Sequence, residues 1–117
     1  MRLAKVLLQR LGNSRINDKD SNGCTVMHIA CETANIEFVH LFLDNGSDLS
    51  IKDDRGQTAM HIACSIGNLE IIKMFLARNV DLAVTDANGH TPMALARLQN
   101  KHEVVHLLKT LCSEVFY

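Results

Sequence analysis

The sequence predicts an all-α fold, a solenoid of stacked helix-turn-helix units joined by extended, β-hairpin-like loops. Three observations carry that expectation. Stretches starting at Asp20, Asp53 and Asp86 align without a gap at a spacing of 33 residues, and a fixed period of this length marks an array of supersecondary units. Each stretch opens on the same Asp-x-x-Gly-x-Thr pattern, as Asp20, Gly23, Thr25, then Asp53, Gly56, Thr58, then Asp86, Gly89, Thr91. Each then carries two apolar runs of helical spacing, separated by a short break.

The elements follow in order. Leu3 to Gly12 reads as the second helix of a partial unit, followed by a linker over residues 13–19 that ends in Asn17-Asp18-Lys19-Asp20. No matching first helix stands upstream of it, so Leu3, Leu7, Leu8 and Leu11 are expected to be partly uncovered. That suggests a chain cut from a longer protein, and an apolar end suited to end-to-end self-association.

In the first complete unit, Thr25 is a good N-cap, because its hydroxyl can accept from an otherwise unpaired helical N–H. Thr58 and Thr91 repeat it, and Pro92 takes the first helical position, where its missing N–H costs nothing. The short helices carry Met27, Ile29, Ala30 and Cys31, repeated as Met60, Ile62, Ala63 and Cys64. Small side chains at Ala30, Ala63 and Ala96 let neighbouring helices approach closely.

Breaks at Ala34-Asn35, Gly67-Asn68 and Asn100-Lys101 precede the longer helices. There Phe38, Val39, Leu41 and Phe42 recur as Ile71, Ile72, Met74 and Phe75, then as Val104, Val105, Leu107 and Leu108, a broad apolar stripe. Gly46, and Asn79 in its place, suit the left-handed residue that ends such a helix. The last unit departs from the pattern at Ala94, Arg97 and Lys109, polar or small replacements expected of an end cap. One domain over residues 1–117 is therefore expected, divided as a partial unit 1–19, units 20–52 and 53–85, and a capping unit 86–117.

At these residues the chain resembles the ankyrin repeat family, whose T-P-L-H-x-A signature stands here as Thr25-Val26-Met27-His28-Ile29-Ala30, Thr58-Ala59-Met60-His61-Ile62-Ala63 and Thr91-Pro92-Met93-Ala94-Leu95-Ala96. The resemblance covers essentially the whole chain. It implies that His28 and His61 are structural, each bonding its Thr and a backbone group of the next turn. It also implies a non-catalytic protein-binding module whose turn tips and short-helix faces meet a partner. By position the tips are Ser21, Asn22 and Cys24; Asp54, Arg55 and Gln57; Ala87, Asn88 and His90. The helix faces add Glu32, Thr33, Ser65, Ile66, Leu98 and Gln99. Arg55 and Ile66 stand out as anchors, because their residue types suit contacts and both lie in the central unit.

One motif points elsewhere. His102-Glu103-Val104-Val105-His106 matches the zinc peptidase pattern, in which two histidines one turn apart bind metal and the glutamate acts as base. On the 33-residue period, however, it falls on Ile36-Glu37-Phe38-Val39-His40 and Leu69-Glu70-Ile71-Ile72-Lys73. An exposed Glu with a basic residue three positions on explains that column, at a few tenths of a kcal/mol per pair. Only eleven residues follow His106, with Glu114 and no further histidine to complete a site. No catalytic residue, cofactor or metal is expected.

Composition narrows the rest. A formal net charge of -1 with mixed signs gives no basic face for nucleic acid. No apolar run reaches the roughly 20 residues needed to span a bilayer, and the opening MRLAKVLLQRLGN is no secretory signal. Cys24, Cys31, Cys64 and Cys112 form no CxxC or dense framework, which fits the cytoplasm or nucleus. Cys31 and Cys64 read as small buried side chains. The competing function class is a regulatory or targeting segment of a larger enzyme or membrane channel.

Overall fold

The computed structural model describes residues 16–116, with side chains as far as Thr110. The expected helix Leu3 to Gly12, with Leu7, Leu8 and Leu11, lies outside the described residues, as do the side chains of Cys112 and Glu114. Three helix pairs follow one another: α1 (Val26–Glu32) with α2 (Ile36–Asp44), α3 (Ala59–Ile66) with α4 (Leu69–Leu76), and α5 (Pro92–Leu98) with α6 (His102–Phe116). The described residues contain no strand, and the connecting loops are extended without forming a sheet.

Local chemistry sets each boundary. Thr25, Thr58 and Thr91 hold extended backbone at the starts of α1, α3 and α5. The Thr58 and Thr91 hydroxyls accept from His61 N at 3.4 Å and Ala94 N at 3.2 Å, contacts worth about 1 kcal/mol each. Between the helices of each pair, Ala34, Gly67 and Asn100 adopt left-handed backbone and turn the chain back. Asn35 and Asn68 then cap α2 and α4 through their side-chain oxygens, which accept from Phe38 N and Ile71 N. The second helices end as expected, at left-handed Gly46 and Asn79.

The short helices stack in series, α1 on α3 on α5, while α2 lies against α4, so the core runs continuously through the units. Ala30, Ala63 and Ala96 are almost completely buried where the short helices meet. Phe75, Ile71 and Ile72 fill the centre of α4, and Val104 and Leu108 continue the layer into α6. Burying each such side chain contributes about 1.5–3 kcal/mol.

Exposure along one column shows which neighbour covers which position. Ile62 and Leu95 are 4% and 8% exposed, yet Ile29 at the same place in the period is 46% exposed. A position uncovered in the first described unit and covered in the last must be covered by the preceding unit, and among the described residues no helix precedes α1. Cys31, Cys64 and Arg97 show the converse, buried in the first two units and exposed in the third. Lys109 is likewise exposed. A second departure concerns the segment expected to be a linker: Ile16 is buried in the core, and Asn17 donates to Gly46 O and accepts from Asp48 N.

Candidate functional site

The turn tips stand at one edge of the stack, and a buried aspartate organises each one after the first. Asp53 Oδ1 accepts from Arg55 N and Gln57 N at 2.9 and 3.0 Å. Asp86 Oδ1 accepts from Asn88 N and His90 N, both at 2.9 Å. Asp20 does the same for Asn22 N and Cys24 N while remaining exposed. Burial opposes ionisation of Asp86, but the two turn N–H groups, the His90 imidazole and the Gln57 side chain outweigh it and hold the carboxyl below its ordinary value.

Backbone bonds join one tip to the next. Asp54 N donates to Asn22 O at 3.1 Å, and Ala87 N donates to Arg55 O at 2.9 Å. Glycine permits that approach: a Cβ on Gly56 would lie 2.6 Å from Ala87 N, with φ at +77°. The two histidines tie the junctions from beneath. His28 Nδ1 accepts from Thr25 N at 3.1 Å and its Nε2 meets Gln57 O at 2.9 Å. His61 Nδ1 accepts from Thr58 N at 3.1 Å and its Nε2 meets His90 O at 3.0 Å. Since the carbonyls can only accept, each ring carries its hydrogen on Nε2. Both imidazoles are buried, so their work is to fasten units together.

The tip and helix-face residues divide into two groups. Ser21, Asn22, Asp54, Arg55, Ala87 and Asn88 are exposed at the tips, and Glu32, Thr33, Ile66, Leu98 and Gln99 are exposed on the short helices. Ser65 is half-buried. Cys24, Gln57 and His90 are also half-buried, and each is drawn toward an aspartate. The Cys24 thiol donates to Asp53 Oδ2 at 4.0 Å, the Gln57 side chain helps to lower the Asp86 carboxyl, and His90 Nδ1 lies 3.8 Å from Asp86 Oδ1. Sequence reasoning placed these three among the contacts; their shared inward role lay in the repeated Asp column, five residues before each Thr. The Arg55 guanidinium is 3.5 Å from Asp53 Oδ2 but its side chain is 64% exposed, leaving it available for contacts.

None of the described cysteines is a good nucleophile. Burial pushes the Cys64 thiol up to about 12 and raises Cys31 further. Cys24 is raised by burial first and then by Asp53, Asp20 and Glu32, so its thiol stays protonated near neutrality. His102, Glu103 and His106 are exposed on α6, along a shallow groove shared with Leu69 and Lys73 of α4. Among the described residues no group of three or more His, Cys, Asp and Glu converges there or elsewhere on a point that could hold a metal.

Two comparisons with known proteins bear on this arrangement. The family model for ankyrin repeats, in three copies, matches residues 30–114. No curated protein matches the sequence.

Proposed function

Because the chain belongs to the ankyrin repeat family, we propose that it is a non-catalytic module that binds a partner protein through its turn tips and the exposed side of its short helices. Members of this family serve generally in protein–protein interaction. The observation that carries the reading here is the ladder of backbone bonds from Asn22 to Asp54 and from Arg55 to Ala87. It holds the exposed tip side chains at fixed spacing, so a partner meets a preorganised surface and little ordering entropy opposes binding.

Arg55 and Ile66 are the anchors of that surface, one charged and one apolar, both on the unit covered from both sides. Other tip residues contribute shape more than energy, since a minority of contacting residues usually dominates an interface. The described cysteines are unpaired thiols, which supports a cytoplasmic or nuclear setting. No helix among the described residues is long and apolar enough to cross a membrane.

The test is a comparison of partners captured by the wild-type protein and by the Arg55→Ala/Ile66→Ala variant, followed by affinity measurement on the purified partner. The double variant is expected to weaken binding at least tenfold, corresponding to about 1.4 kcal/mol. Undiminished affinity, with the fold intact by circular dichroism, would remove this surface as the binding site.

A further inference from the structure

The junction between the second and third units hangs on one fully buried imidazole. His61 uses both ring nitrogens, taking the Thr58 N–H at Nδ1 and giving its own N–H to the carbonyl of His90 in the next turn. It thereby caps α3 and grips the third unit in the same contact. A proton added at Nδ1 would face the Thr58 N–H at 3.1 Å and leave only the Thr58 hydroxyl, 2.9 Å away, to receive it, so protonation costs the backbone half of the cap.

We propose that His61 is a proton-sensitive latch, closed when neutral, whose protonation in mildly acidic conditions releases α5 and α6 from the rest of the stack.

The other bonds across this junction do not depend on the ring: Ala87 N to Arg55 O, and Lys52 Nζ to Thr85 O. Their independence makes the latch a modulator of the junction's strength. The third unit is the one that responds, because the ring's Nε2 bond goes to its opening turn at His90 O.

The charged groups facing His61 act in both directions. Asp86 favours a proton on the ring and Lys52 disfavours it. Burial is the largest influence and, with Lys52, outweighs the backbone groups of His90 and Val84 and the Asp86 carboxylate, so the ring's value in the folded protein lies below the ordinary 6.5. The sign follows directly. With the folded value depressed, the latch's contribution is complete above about 6.5 and is lost as pH falls through the folded value. His90 Nδ1 lies 3.8 Å from Asp86 Oδ1, with its side chain 37% exposed, so a pairing there is screened by solvent.

The experiment follows the ring resonances of the wild-type protein by NMR from about pH 7.5 to about pH 5. Amide exchange, corrected for its intrinsic pH dependence, is read over the same range. His61 should titrate below 6.5. Over that window, exchange in α5 and α6 should rise relative to α1 and α2 by up to about tenfold per pH unit. His61→Gln should abolish this slope and His90→Gln should keep it. A flat profile for α5 and α6, a slope that survives in His61→Gln, or one that disappears in His90→Gln would overturn the latch. Should His61→Gln fail to fold, the wild-type ring titration decides, because a ring titrating at or above 6.5 contradicts the proposal.

Discussion

The first and second units are written in nearly the same letters but occupy different physical situations. Isoleucine stands at the same place in both short helices, and Ile62 is 4% exposed where Ile29 is 46% exposed. Val26 is half-buried where Ala59 is buried, and Phe38 is half-buried where Ile71 is completely so. The second unit owes its dry interior to neighbours on both sides. Local sequence makes a helix pair; stacking makes it a core.

The largest effect that would sharpen this comparison lies at the centre of α4. Phe75 is completely buried, and Phe75→Ala should cost about 3–5 kcal/mol in urea unfolding, because the cavity between layers cannot close fully. A loss below about 1 kcal/mol would show that the layers repack freely and that burial here is not the main source of stability.

A smaller effect separates two glycines with the same backbone. Gly56 and Gly89 have φ of +77° and +83°, but a Cβ on Gly56 would strike Ala87 N at 2.6 Å, whereas Gly89 has nothing within 4 Å. Gly89→Ala should cost only the left-handed strain, about 1 kcal/mol. Gly56→Ala should cost distinctly more, because the tip of the third unit must also move and its bond to Arg55 O must lengthen. Equal melting temperatures for the two variants would mean that the tips do not couple the units.

Much of this architecture was legible in the letters. Thr before an apolar run, glycine or asparagine after one, and Pro92 at a first helical position each carry a local mechanism, and the helices start and stop where those residues stand. The histidine column was interpretable because the family resemblance supplied the partner that local sequence does not name. Ile16 was not legible, because a single apolar residue between polar ones has no periodicity to reveal it. The exposure of Ile29 was not legible for the opposite reason: its column is apolar, and only the presence of a neighbour decides whether an apolar residue is buried.

The candidate surface was legible to the same degree. Exposure of Ser21, Asn22, Asp54, Arg55, Ala87 and Asn88 follows from their place at turn tips. The inward turn of Cys24, Gln57 and His90 does not, because each answers to a carboxylate that is far away in the chain or organised by the tertiary fold. Asp53 and Asp86 are sequestered by the preceding unit's turn, a pairing no single repeat contains.

The most direct test of neighbour-dependent stability compares one substitution at two equivalent places. Urea unfolding of Ile62→Ala and Ile29→Ala removes the same atoms from the same column, so helix propensity cancels. The account predicts a loss of about 2–4 kcal/mol at Ile62 and less than about 1 kcal/mol at Ile29. Equal losses at both positions would contradict it.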